Sequence, residues 1–507
     1  MSGKVFLLGA GPGDPGLITE KGAACIRAAD VVVYDYLASE QLLKYGRPDA
    51  ELIYVGKKGG DHTLSQEKIN ALLVEKARAG NNVARLKGGD PFIFGRGGEE
   101  IEELIEADVE FEVVPGVTSA VAAPAYAGIP LTHRQFASCV TFITGHEDPQ
   151  KTDSMINWEA LAGTGGTLVF LMGVKNLPNI AGRLKASGMR PETPVALVRW
   201  GTTPAQQTVT GTLETICGNV EAAGIKPPCI IVIGDVVHLR EKMKWFEKKP
   251  LFGRNIVVTR ARSQASSLVK RLSELGAGVI ETPVIEIRPV ENMQPLDRAV
   301  KNIKAYDWLV FTSVNGADVF FERLRANKLD TRALGGIKTA AIGPATAEKM
   351  RENGLDADIV PESYRAESVV EAFENLDMSG RKILLPRAEG ARPVLPDELS
   401  KMGAHVDEII SYRAVQGRAG AEKMIESLRA GNVDMVTFTS SSTVRNFMAL
   451  LPEAGAEKLL SGVSIAAIGP VTAETASEAG LKTDVVAEEY TIEGLVRAVI
   501  DYYAQNR

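Results

Sequence analysis

Cysteine is scarce in this chain. Four thiols, Cys25, Cys139, Cys217 and Cys229, lie scattered through 507 residues. No CxxC pair occurs, and none of the five histidines forms an HxxxH spacing. A structural zinc site and a disulfide framework are therefore not expected, and no metal is. Long apolar runs are missing too. No stretch reaches the roughly 18 apolar residues of a membrane span. The apolar start of MSGKVFLLGAGPGDP is short and interrupted by Pro12 and Pro15, unlike a secretory signal. Positive charge is not in excess: 57 Lys and Arg against 64 Asp and Glu give a net charge of -7. A general nucleic-acid binder is usually basic, so that class is disfavoured. An anionic substrate would have to be met by a local basic cluster. Low-complexity tracts are absent as well. What remains is an ordinary globular composition, 45% hydrophobic and 24% charged. The expectation is a cytoplasmic enzyme with small-molecule partners, binding neither nucleic acid nor membrane.

At 507 residues the chain is too long for one domain. Short β-branched runs alternate with amphipathic helical stretches: VVVYD (31–35), NVARLKG (82–88), FEVVPG (111–116), VTFITG (140–145), TLVFLMG (167–173) and CIIVIGDV (229–236). That alternation predicts an α/β fold with largely parallel sheets. EKMKWFEKKPLFG (241–253) is charged, and Pro250 and Gly253 punctuate it. It reads as an exposed tether, with the linker over 244–253. The first unit then spans 1–243, with subdomains of about 1–114 and 115–243, and the second spans 254–507.

The second unit repeats itself. IVVTRA (256–261) matches ILLPRA (383–388), and VFTSVNGADVFFERL (310–324) matches TFTSSSTVRNFMALL (437–451). AAIGPATAEKMRENGL (340–355) matches AAIGPVTAETASEAGL (466–481), and VPESYRAES (360–368) matches VAEEYTIEG (486–494). The offset stays at 126–127 residues, far too long for a solenoid period. It implies two similar α/β lobes, one of about 254–288 plus 415–507 and the other of about 289–414. A ligand is expected in a cleft between them.

GAGPGDPG (9–16) raises a chemical question. Gly11, Gly13 and Gly16 fit the G-x-G-x-x-G dinucleotide fingerprint, and Asp35 follows near the ribose-binding distance. An NAD oxidoreductase is one reading. Two features oppose it. Pro12 and Pro15 each remove a backbone donor that a pyrophosphate would need. A second glycine corner also recurs in RLKGGDPFIFGRGGEE (85–100), which a dinucleotide fold does not require.

Together with VGKKGG (55–60), VVPGVTSA (113–120), AGIPLTHR (127–134), TGH (144–146), FLMG (170–173) and PVALVRWGT (194–202), these loops appear in the order typical of one family. The first 243 residues resemble the uroporphyrinogen-III C-methyltransferases, within the tetrapyrrole methylase family. The second unit resembles uroporphyrinogen-III synthase through VVTRA, VFTSVNG, IGPATA, LLPRAEG and SYRAV.

For the first unit the resemblance implies a two-domain methylase with S-adenosylmethionine in the trough between its domains. Motif matching puts Pro12, Gly88, Gly89, Asp90, Ile93, Thr118, Ser119, Met172, Gly201 and Cys229 on cofactor positions. Ser119 and Cys229 depart from the alanines common there. A compact zwitterion without a pyrophosphate tolerates the prolines. The implied substrate, uroporphyrinogen III, carries eight carboxylates and receives two methyl groups, giving precorrin-2. Asp35 matches the family's proton acceptor, although a helix N-cap after VVVYD is the plainer alternative. Lys57 matches a proton donor and reads equally as a carboxylate anchor. Arg85, Lys87, Arg96 and Arg134 are candidate carboxylate ligands. His133 and His146 have the same reading or a structural one. A homodimer through this unit is also implied.

For the second unit the resemblance implies closure of hydroxymethylbilane to uroporphyrinogen III, with inversion of ring D, loss of water and no cofactor. Tyr412 matches a proton-delivering tyrosine, or is a partly buried tyrosine at a strand end. Thr312, Ser313, Thr439 and Ser440 occupy equivalent strand ends, as do Arg260 and Arg387; these six are candidate substrate ligands. Cobalamin and sirohaem biosynthesis are the implied settings. The main alternative is an active methyltransferase fused to an inactive synthase-like module that only binds tetrapyrrole.

Overall fold

The structure is a computed structural model that describes residues 2–56, 64–146, 155–260, 262–363, 365–452 and 455–506. Two compact units emerge: Met1–Asn255 with Arg271–Gly278 and Tyr503–Arg507, and Ile256–Lys270 with Val279–Tyr502. No helix among the described residues is long and apolar enough to cross a membrane.

The first unit holds two five-stranded sheets. In the first are β1 (Val5–Gly9), β2 (Val31–Tyr34), β3 (Glu51–Tyr54), β4 (Val83–Lys87) and β5 (Phe111–Val114), in the order β3-β2-β4-β1-β5. All its ladders are parallel. β1, β2 and β4 are buried almost throughout, as strands covered on both faces must be. Val5, Leu7, Val33 and Val83 pack with Leu73 and Leu104 on one side. Leu8, Val32, Ala84 and Leu86 pack with Ile26 and Leu42 on the other. Open parallel sheets bind ligands beyond the carboxyl ends of their strands. Those ends lead directly into GPGDPG, Asp35, GGDP and PGVTS.

The second sheet is formed by β6 (Val140–Thr144), β7 (Thr167–Leu171), β8 (Pro194–Arg199), β9 (Gln207–Thr212) and β10 (Cys229–Ile233), in the order β6-β7-β10-β8-β9. Only β6 and β7 pair in parallel; β10 runs antiparallel to both its neighbours, and β8 to β9. The expectation of largely parallel sheets therefore fails here. A fully buried strand reads as a continuous apolar run whichever way it points, so TLVFL and CIIVI conceal their direction.

The segment 244–253 is not an exposed tether. Phe246 and Leu251 are buried, and Phe246 packs edge-on against Tyr126 and Phe252. The Trp245 indole N–H donates to the carbonyl of Ala125 at 3.1 Å. Glu247 takes a 2.6 Å ion pair from Arg240. Lysines and glutamates dominate the composition, but the aromatics between them supply the anchoring.

The second unit also holds two five-stranded sheets. Its strands are β11 (Asn255–Val258), β12 (Gly278–Glu281), β13 (Ile285–Pro289), β14 (Trp308–Phe311), β15 (Lys338–Ala341), β16 (Lys382–Ala388), β17 (His405–Gln416), β18 (Met435–Phe438), β19 (Ser464–Ala467) and β20 (Val485–Val486). They form β12-β11-β18-β19-β20 and β13-β17-β16-β14-β15. The sequence repeat maps β11, β12, β14 and β15 onto β16, β17, β18 and β19. Of these eight matched strands each lobe takes two from each copy of the repeat, so repeat and lobe are different divisions of the chain. Helices cover the sheets, with Phe320 and Phe321 against Phe311 in one lobe and Phe447 against Phe438 in the other.

Candidate functional site

In the first unit the strand ends enclose a cleft of about 760 Å³. The two glycine corners are joined there. Gly11 N–H donates to Gly89 O at 3.2 Å, and Gly89 N–H donates back to Gly11 O at 2.7 Å. Both residues have positive φ, 76° and 72°. Asp90 fixes its own corner, its carboxylate accepting from Phe92 N at 2.8 Å and Gly116 N at 3.0 Å. Close approach elsewhere excludes side chains: a Cβ on Gly88 would lie 2.4 Å from Leu37 Cβ, and one on Gly201 2.3 Å from Ala123 Cβ. All ten residues expected to hold the cofactor, Pro12, Gly88, Gly89, Asp90, Ile93, Thr118, Ser119, Met172, Gly201 and Cys229, line this one cleft. Its walls combine small residues, backbone and apolar side chains such as Leu171, Val198 and Ile230. That lining suits a compact, partly apolar ligand without phosphates, and S-adenosylmethionine fits it. Burial pushes the Cys229 thiol up to about 12, so it stays a neutral wall atom.

Four lining residues with large side chains, Phe94, Arg96, Met172 and Trp200, have φ between 47° and 58°. Left-handed backbone at such residues costs on the order of 1–3 kcal/mol each and clusters at functional sites. Trp200 meets Tyr36 edge-on, with ring centroids 5.6 Å apart.

The cleft also has a charged floor. Asp35, at the end of β2, accepts from Arg85 Nη2 at 3.2 Å. It also takes the Leu37 backbone N–H at 3.1 Å, capping a local turn; the helix N-cap alternative does not hold, because the next helical turn, Glu40–Tyr45, is preceded by Ser39. Arg85 and Lys87, successive residues on one face of β4, are 3% and 4% exposed and both line the cleft. They converge on Glu100, which is fully buried: Lys87 Nζ lies 2.6 Å and Arg85 Nε 3.3 Å from its Oε1. Gln66 Nε2 donates to the same oxygen at 3.1 Å. The structure thus buries both candidate carboxylate ligands at the wall of the cleft. Arg96 lines the rim, paired with Glu99 at 2.6 Å. His146 also lines the cleft. Arg134 and His133 do not: Arg134 is exposed, and His133 Nδ1 accepts from Gln135 N in a local turn. Lys57 lies outside the described residues.

The sequence reading missed Glu100 and the supports behind the proline-glycine loop. Asp14 N–H donates to Thr202 Oγ1 at 3.0 Å, and Tyr126 OH donates to Asp14 Oδ2 at 2.7 Å. Burial and then the Asp14 carboxylate push the Tyr126 phenol well above its ordinary value. Thr202 N–H donates to Gln206, whose amide donates to Glu247 at 2.9 Å. Polar side chains separated by up to 188 residues give no local signal of such a chain of bonds.

In the second unit Tyr412, 6% exposed on β17, meets Ser313 at the end of β14, hydroxyl to hydroxyl at 2.8 Å. Ser313 is also the N-cap of the helix Val314–Ala326, accepting from Gly316 N at 2.9 Å. Its repeat partner Ser440 caps Ser441–Met448 in a capping box and bonds Ser442 Oγ at 2.9 Å. Thr312 and Thr439 precede these caps, half-buried. Arg387 is tied down by Glu408 at 2.8 Å and the Arg392 carbonyl at 2.6 Å. Arg260 is half-buried, and burial holds its guanidinium below its ordinary value.

Two family models match this chain. That for tetrapyrrole (corrin/porphyrin) methylases covers residues 4–217, and that for uroporphyrinogen-III synthase HemD covers 266–497. The protein is therefore a fusion of two α/β domains of tetrapyrrole biosynthesis, a methylase followed by a synthase. The porphyrin biosynthesis protein HemD of Ruminiclostridium josui is 40% identical over 499 residues, spanning 98% of both chains. The S-adenosyl-L-methionine-dependent uroporphyrinogen III methyltransferase of Methanosarcina barkeri is 54% identical over 47% of this chain and 94% of its own. A crystal structure of uroporphyrin-III C-methyl transferase from Thermus thermophilus, complexed with S-adenyl homocysteine, is 40% identical over 47% of this chain and all of that one, with a TM-score of 0.40. The chain belongs to the tetrapyrrole methylases in its first half and to the uroporphyrinogen-III synthases in its second.

Proposed function

We propose that the second unit cyclises hydroxymethylbilane to uroporphyrinogen III, with inversion of ring D and loss of water, and that the first unit methylates that product twice, giving precorrin-2. The observation that carries the reading is the convergence of ten separately predicted cofactor residues on one cleft whose floor holds Asp35, Arg85 and Lys87.

S-adenosylmethionine, when bound, supplies a methyl group already activated by its sulfonium. The residues around it have three tasks. The glycine corners and the apolar walls align the donor with the attacking pyrrole carbon, a proximity effect worth several kcal/mol. Asp35 offsets the positive charge that develops on the ring and takes the departing proton. Arg85 and Lys87 present cationic donors to substrate carboxylates. Lys57 keeps its sequence-based reading as proton donor or carboxylate anchor.

In the second unit Tyr412 delivers a proton to the leaving hydroxyl, and Ser313 holds its phenol in place. A buried tyrosine whose hydroxyl is aligned by a helix cap favours an active synthase over a binding-only module. Thr312, Ser313, Thr439, Ser440, Arg260 and Arg387 are the proposed acetate and propionate ligands. The reading also includes a cytoplasmic homodimer formed through the first half, independent domains meeting near residue 254, and a synthase that needs no cofactor. Incubation of the protein with hydroxymethylbilane, with and without S-adenosylmethionine, tests the function. Uroporphyrinogen III alone is expected without the donor, and precorrin-2 with it. Formation of only the uninverted isomer would leave a methyltransferase joined to an inactive module.

A further inference from the structure

Glu100 is the most deeply placed charge at the cleft. It lies in the first turn of the helix Gly97–Glu106 and has no exposed surface. One of its oxygens, Oε1, receives Lys87, Arg85 and Gln66, while Oε2 has no hydrogen-bond partner among the described residues. A buried carboxylate with one oxygen unpartnered is costly unless cations hold it. The arrangement is equally costly in reverse, because Lys87 and Arg85 are two like charges side by side on β4. Arg85 is tied at three points: Nε to Glu100, Nη1 to the Leu86 carbonyl at 2.8 Å and Nη2 to Asp35. Glu100 therefore touches both cations at once without lining the cleft itself, whereas both cations do line it.

We propose that Glu100 is a positioning residue for substrate binding: it is the buried counter-charge that holds Lys87 and Arg85 together at the cleft. The inference rests on reading Arg85 and Lys87 as carboxylate ligands.

The charged groups around Lys87 are Arg85 on its own strand, Asp35 at the end of β2, and Arg96, Glu99 and Glu100 at the start of the next helix. Burial, and then Arg85, push the Lys87 ammonium below its ordinary value. Glu100 opposes them through its charge and its hydrogen bond, and Asp35 adds a smaller pull. Removing the Glu100 charge leaves burial and Arg85 acting almost alone, so Lys87 sheds its proton at a lower pH. A neutral amine binds a carboxylate less well than an ammonium does, and the loss grows as the solution becomes more alkaline.

The test uses the full-length protein, with uroporphyrinogen III as the varied substrate and saturating S-adenosylmethionine. In Glu100→Gln the KM for uroporphyrinogen III is expected to rise about tenfold between about pH 6.5 and about pH 9, the worth of one charge-assisted hydrogen bond. Affinity for S-adenosylhomocysteine, read by calorimetry, stays near wild type. Adding Lys87→Arg, which cannot lose its charge, flattens the profile again. A purely structural role would lower stability or kcat without a pH-dependent KM. If Lys87→Met leaves KM unchanged, the substrate reading of the floor fails, and this inference with it. If Lys87→Met raises KM while Glu100→Gln shows no pH-dependent KM, the floor binds substrate and this inference alone falls. Should Glu100→Gln not fold, Glu100→Gln/Lys87→Met decides. Recovery of folding in that double variant supports the counter-charge role, and failure of both overturns it.

Discussion

Gly11 and Gly89 donate their backbone N–H groups to one another's carbonyls across 78 residues of sequence, at 3.2 and 2.7 Å. This reciprocal pair is what makes two separate glycine corners into one surface. It also explains why two prolines stand in a loop that superficially fits a dinucleotide fingerprint. The Gly11 amide is spent on joining the two corners, and Pro12 lines the cleft with a ring where a phosphate would have needed a donor.

Gly89→Val tests this directly. A Cβ there meets only ordinary contacts, with the nearest atom, Ser119 N, at 3.6 Å. The cost comes from φ of 72°, which a β-branched residue resists by about 1–2 kcal/mol. The corner will shift to relieve it, and affinity for S-adenosylhomocysteine should fall about tenfold, measured by calorimetry. Synthase turnover should be unaffected. Unchanged affinity would remove GGDP from the cofactor site.

Asp35→Asn keeps the turn, because an amide oxygen can still accept from Leu37 N, but it removes the negative charge. Methyl transfer should slow by about 10²–10⁴-fold while S-adenosylhomocysteine still binds. Single-turnover kinetics with uroporphyrinogen III provide the measurement. Near-wild-type turnover would reduce Asp35 to a turn cap and a partner for Arg85.

Tyr412→Phe should slow formation of uroporphyrinogen III by about 10–100-fold, because water can partly replace the lost proton donor. Ser313→Ala should have a smaller effect in the same direction. It frees the phenol and also removes a helix cap worth about 1 kcal/mol, so its thermal midpoint must be recorded beside its rate. Wild-type rates in both variants would make the pair structural.

The place where the chain is cut should matter. Ending the first half after Met243 removes Phe246, Leu251 and the Glu247 bonds to Arg240, Gln206 and Thr208. Ending it after Gly253 retains them. Loss of one buried Phe alone typically costs 3–5 kcal/mol. The shorter fragment should therefore melt well below the longer one, and its S-adenosylhomocysteine affinity should drop, because Glu247 leads through Gln206 and Thr202 to Asp14. Equal melting temperatures would show the segment to be dispensable.

Much of the fold is written locally. Continuous apolar strands, glycine corners and the four repeated blocks each carry their signal within a few residues, which is why six strands of the first unit, its glycine corners and the duplication of the second unit could be read. What could not be read depends on distance or direction. The antiparallel course of β10 leaves no mark on CIIVI, because burial on both faces erases the alternation that would betray orientation. Trp245 and Phe246 looked incidental among lysines, since their partners, Ala125 and Tyr126, are some 120 residues away. Glu100 was visible within GRGGEE, but as one of two adjacent acids on an amphipathic helix. Only the fold shows that one of them, Glu99, faces solvent while the other takes both floor cations.

The pairing of Tyr412 with Ser313 has a consequence for how a duplicated scaffold handles a linear molecule. Two copies of one motif supply matching strand ends, Thr312-Ser313 and Thr439-Ser440, and a receptor built only from matching halves would accept a chain from either end. Tyr412 breaks that equivalence. The position one repeat earlier is Ile285, which carries no hydroxyl, and Ser440 turns instead to Ser442 in its own helix cap. One half of the scaffold thus carries a phenol hydroxyl that the other lacks. The duplicated unit thus has a built-in polarity, its two copies differing at the position where one bears Tyr412 and the other Ile285.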